Sequence, residues 1–116
     1  MSEKKVNNSE ITYKGNNYAL VFNLNVMEEV QEEYGSVEAW GEMVEDKAEP
    51  NAKAIKFGFT AMINEGIDIY NEENEDTREP FTTKQVGRII SELGLSQVAK
   101  KLNKTVIDST KSDEKN

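Results

Sequence analysis

The chain has 116 residues, of which Ile, Leu, Val and Phe supply only 26, enough for one domain with a small core and just above the roughly 20% level below which charged chains stay disordered. A formal net charge of −8 argues against nucleic acid or an anionic membrane as partner, since both demand a basic surface. With no cysteine and no histidine, disulfides, thiol chemistry, the usual zinc sites and imidazole general bases are excluded, and no cofactor is expected.

Residues 1–8 are polar and read as a flexible N-terminus without the apolar stretch of a signal peptide. No later run reaches the roughly 18 apolar residues of a membrane span, so a soluble protein of the cell interior is expected. Ile11-Thr12-Tyr13 and Tyr18-Ala19-Leu20-Val21-Phe22 alternate around Lys14-Gly15-Asn16-Asn17, which predicts a β-hairpin over 9–23. Ile11, Tyr13, Tyr18, Leu20 and Phe22 would share its covered face. Asn25 is the expected N-cap of a helix over 25–34, with Glu28 in the capping-box position, Val26, Met27, Val30 and Tyr34 inward, and Gly35 at its end. A second helix over 36–48 starts at Ser36, turns Val37, Trp40 and Val44 inward and stops before Pro50.

The next stretch, expected as a helix over 52–71, is the most apolar part of the chain. Ile55, Phe59, Met62, Ile63, Gly66, Ile67 and Tyr70 recur at spacings of three and four. Gly58 and Gly66 each cost about 1 kcal/mol against alanine in a helix, and close approach of a neighbour is the usual reason for them. Phe57 and Ile69 fall off the main stripe, so they are expected to look toward a self or client interface. The acidic segment Asn71–Pro80 lacks the residue order of a calcium loop and reads as a solvated connection. Thr82 and Gln85 then form a capping box with Phe81 and Val86 as its staple, predicting a helix over 82–93 closed by Gly94. Ser96 is expected to cap a last helix over 96–107, and 108–116 to be a disordered tail. The fold class is α+β and mostly α-helical: one domain over 9–107, an N-terminal hairpin followed by four or five short helices packed around a central one.

Chemistry is sparse. Glu28, Glu29, Glu32 and Glu33 lie opposite the apolar stripe of their helix, where a solvated face offers no contrast that would push two carboxylate pKa values apart. They read as a solvated acidic surface or as a docking face for a basic partner, and the chain as no enzyme. Trp40, the only tryptophan, is either a core residue or an interface anchor. Charge is uneven. Nine acids against Lys47 alone occupy 25–49, whereas Lys84, Arg88, Lys100, Lys101, Lys104 and Lys111 make the last helices basic, a polarity that could support head-to-tail homo-oligomers. Contact surfaces are therefore expected at Glu28, Glu29, Glu32, Glu33 and Trp40, and at Phe57 and Ile69.

The layout resembles the small tail assembly chaperones of long-tailed bacteriophages and prophages, including related gene-transfer-agent proteins. The resemblance rests on four pieces in order: Ile11-Thr12-Tyr13-Lys14-Gly15-Asn16-Asn17-Tyr18-Ala19-Leu20; Met27-Glu28-Glu29-Val30-Gln31-Glu32-Glu33-Tyr34-Gly35-Ser36; the apolar helix ending near Gly66; and Phe81-Thr82-Thr83-Lys84-Gln85-Val86-Gly87. Together they cover most of the chain from Glu10 to about Leu95. It implies a non-enzymatic cytoplasmic factor that binds the aggregation-prone tape measure protein, helps recruit tail tube subunits and leaves the finished tail. In many phages such a short form accompanies a frameshifted longer one. The family supplies no catalytic or binding residues to carry over. Two other readings stay open: a tail tube or head–tail connector subunit kept in the particle, and a small acidic regulatory or inhibitory binding protein.

Overall fold

The computed structural model describes residues 9–45 and 48–115, and for 111–115 the backbone alone. The expected flexible segment 1–8 lies outside them. Strands β1 (Glu10–Tyr13) and β2 (Asn16–Ala19) pair antiparallel with Ile11 opposite Tyr18 and Tyr13 opposite Asn16. Lys14 and Gly15 join them with φ of 51° and 81°, the sign pattern of a type I′ turn, whose twist matches that of the strands. Of the shared face, Ile11, Leu20 and Phe22 are buried, while Tyr13 and Tyr18 set their rings edge-on against Phe81, with centroids 6.4 and 5.1 Å away.

Among the described residues five helices follow: α1 (Leu24–Tyr34), α2 (Val37–Glu45), α3 (Ala52–Asn74), α4 (Thr83–Leu93) and α5 (Leu95–Lys115). The protein is thus α+β and mostly helical. Helix α3 is its centre, packed against β2 and all four other helices, and it buries Ala54, Ile55, Gly58, Phe59, Ala61, Met62, Ile63, Gly66 and Ile67. Its two central glycines are points of close approach. A Cβ on Gly58 would fall on the Trp40 indole, and one on Gly66 would fall on the Ala19 carbonyl oxygen. Val21 N–H adds a bond to Met62 O (3.2 Å), so the hairpin lies backbone-to-backbone on α3. Among the described residues, no helix is long and apolar enough to cross a membrane.

Several boundaries differ from expectation. The N-cap of α1 is Asn23, not Asn25. Its extended backbone lets the side chain accept from Val26 N–H, which leaves Asn25 inside the first turn and Glu28 out of capping register. Helix α3 continues to Asn74 and ends on Glu75 in the left-handed region. No side chain of Ser96 caps α5: Gly94, at φ 101°, closes α4, and its carbonyl accepts from Val98 N–H. Residues 108–115, expected as part of a disordered tail, continue α5 in helical conformation. Ser109 donates to Phe22 O (3.0 Å) and Lys104 pairs with Asp108 (3.2 Å), which hold the polar continuation of α5 against the body and along its own surface. By contrast, Ser36 accepts from Ala39 N–H, and both halves of the Thr82–Gln85 capping box form.

Candidate functional site

Helix α3 has a face that its neighbours leave open. Phe57, Thr60, Ala61, Asn64, Glu65 and Asp68 succeed one another at intervals of three and one residues, one stripe of a helix with 3.6 residues per turn. With Glu29 of α1 and Thr83 of α4 they line a groove of about 290 Å³. Phe57 is half-buried, its ring edge-on to Tyr34 at 5.5 Å. It supplies the apolar part of a lining that also carries the carboxylates of Glu29, Glu65 and Asp68, and among the described residues no lysine or arginine lines the groove.

Two asparagines build its frame. Asn64 Nδ2 donates to Phe81 O (2.9 Å), and Phe81 N–H donates back to Asn64 Oδ1 (2.8 Å). Two turns on, Asn71 makes the same exchange with Arg78, at 2.9 and 3.0 Å. Both side-chain amides thereby satisfy backbone groups of the loop that leads into α4, which otherwise would rely on water. That acidic connection is therefore laced to α3 rather than simply solvated. Arg78 locks it further, its guanidinium 4.0 Å from the Tyr70 ring centre and its Nη1 3.4 Å from Asn17 O. At the other side of the groove Glu65 accepts from Asn23 Nδ2 (2.8 Å) and Asn25 Nδ2 (3.1 Å). One carboxylate so orients the residue that caps α1.

The predicted contact residues divide accordingly. Glu28, Glu29, Glu32 and Glu33 are all exposed on α1, without ion-pair partners among the described residues, and Glu29 alone of the four lines the groove with Phe57. Trp40 does not belong to a surface. It is 2% exposed and its Nε1 donates to Ala54 O (2.9 Å), a bond that satisfies the indole inside the core. Ile69 is half-buried but stands twelve residues beyond Phe57, about 120° around the helix, and does not line the groove. Asn64, Asn71 and Glu65 escaped notice as frame residues. The one signal for the two asparagines was their spacing, seven apart and so on one face of the helix.

Tyr34, behind Phe57, carries a hydroxyl that is buried with no hydrogen-bond partner among the described residues. Burial raises its pKa above the ordinary phenol value, and the Glu33 carboxylate adds to the rise. Chemically the groove can hold an apolar side chain flanked by cationic ones. Among the described residues no group of three or more Asp or Glu is arranged to hold a metal ion. Comparison of the chain with family models, with curated proteins and with solved structures found no match.

Proposed function

We propose that this protein works by binding rather than by catalysis, as a tail assembly chaperone of a phage or prophage whose client is the tape measure protein. The observation that carries the binding half of this reading is the α1–α3–α4 groove, whose lining joins the half-buried Phe57 with Glu29, Glu65 and Asp68 and, among the described residues, includes no basic side chain. Such a surface suits an amphipathic helix that presents an apolar anchor next to lysine or arginine, the helix-in-groove mode of recognition. The identity of the client rests on the resemblance in layout described above.

A groove of this size takes one or two side chains, so a single contact is weak, and tight holding of a long client comes from many copies spaced along it. The protein acts in the host cytoplasm and is left behind by the finished tail. Co-expression with the tape measure protein encoded in the same gene neighbourhood tests this. The client should stay soluble and co-purify with the wild-type chain, and Phe57→Ser combined with Asp68→Lys should abolish both while circular dichroism stays native. A client whose solubility is indifferent to the wild-type chain would sink the proposal.

A further inference from the structure

The hairpin has one covered edge and one open edge. Strand β2 lies on α3, whereas β1 pairs, among the described residues, with β2 alone. In a hairpin with a two-residue turn the pair flanking the turn is hydrogen-bonded and pairs then alternate. Tyr13, Ile11 and Ser9 therefore point their backbone groups at β2, as the bond from Leu20 N–H to Ser9 O (2.7 Å) requires. Glu10 and Thr12 point theirs away, and among the described residues nothing takes them up.

Beside this edge runs α5. Ser9 Oγ and Thr105 Oγ1 meet at 2.7 Å, and from that tie strand and helix diverge around a groove of about 420 Å³. Its apolar lining comes from Ile11, Leu93 and Val98, and its rim from Lys100, Lys101 and Lys104, against which Glu10 is the single carboxylate. Lys104 has Asp108 as partner. Lys100 and Lys101 have no ion pair among the described residues.

We infer that the β1 edge and the lysine face of α5 form a second docking site, which takes an extended acidic segment of a partner protein by strand addition. Two unpaired backbone donor–acceptor sets one strand repeat apart supply the ladder. The lysines select acidic side chains from the incoming strand, and the apolar lining takes the residues that alternate with them. The site shares no residue with the α1–α3–α4 groove and has the opposite charge, so it stands whether or not the client of that groove is a tape measure protein.

The test uses the full chain and a fluorescein-labelled octapeptide of alternating glutamate and valine, followed by fluorescence anisotropy at low salt. Saturable binding is expected, together with slowed amide exchange at Glu10 and Thr12. Methylating every second peptide nitrogen on the ladder side should weaken binding at least tenfold, and so should the K100E/K101E/K104E triple substitution. The N-methylated peptide keeps the charge pattern and needs no change in the protein, so it separates strand addition from adsorption even if the triple variant misfolds. Absence of saturable binding, equal affinity for the methylated peptide, or exchange protection confined to other amides would each overturn the inference.

Discussion

Gly41, Gly58 and Gly66 all sit inside helices, yet they face three different surroundings. A methyl group on Gly41 meets nothing within 4 Å, whereas one on Gly66 meets the backbone carbonyl of Ala19, and one on Gly58 meets the indole of a buried tryptophan. Gly41→Ala should therefore recover most of the roughly 1 kcal/mol that a mid-helix glycine costs. Gly66→Ala gains the same term but forces the hairpin off α3, and should lose about 1–3 kcal/mol net. Urea titrations of the two variants check the contrast, and Gly66→Ala as stable as wild type would mean the hairpin is not seated on α3. Tyr34 offers a second single-residue test. Its folded pKa is raised, so the unfolded chain ionises first. Stability is thus unaffected by this group well below pH 10 and falls as pH rises above about 10 toward the folded value. Tyr34→Phe removes both the alkaline loss and the buried unpaired hydroxyl. It should leave stability at pH 7 unchanged or raised by up to about 1 kcal/mol, measured by denaturant unfolding at pH 7 and 10.5.

At the scale of elements, the joints between them depend on asparagine. Asn64→Ala strands Phe81 N–H and its carbonyl together, and loosens the start of α4 and the ring contacts of Phe81 with the hairpin at once. A loss of about 2 kcal/mol is expected, with faster amide exchange at Phe81 and Thr82 while α5 stays protected. Uniform acceleration would show instead that the loop is not a separate joint. These joints also explain what could be read in advance. The α4 start was legible because Phe81, Thr82, Gln85 and Val86 carry the whole signal within six residues. The α1 start was not, because Asn23 and Asn25 are equally able to cap by residue type, and it is Asn23 whose backbone is extended and whose side chain accepts from Val26 N–H. The stripe of α3 announced a central helix, yet its open face could not be told from its covered ones until α1 and α4 were in place. Trp40 was ambiguous for the same reason, since burial depended on a glycine in another helix. The bond from Ser109 at the polar end of α5 to the distant carbonyl of Phe22 is likewise something no local pattern records.

For the molecule as a whole, the acidic α1 face costs stability by its own arrangement. Glu28 with Glu32 and Glu29 with Glu33 are like-charged pairs one turn apart, and the last turn of α1 holds no basic residue, although the helix dipole favours one there. Replacing Glu32 and Glu33 together by lysine turns both repulsive pairs into the favourable order, glutamate before lysine, and places positive charge at the helix C-terminus. The double variant should be more stable than wild type by about 1 kcal/mol at low salt, an advantage that shrinks as salt screens it. If the face docks a basic client, the same change should weaken client capture several-fold, most strongly at low salt, because long-range attraction sets the encounter rate. Opposite movement of stability and binding is what a surface shaped for a partner produces. Should the double variant gain stability and still hold the client as well as wild type does, Glu32 and Glu33 have no part in docking, and the groove residues Glu29, Phe57, Glu65 and Asp68 must carry it alone.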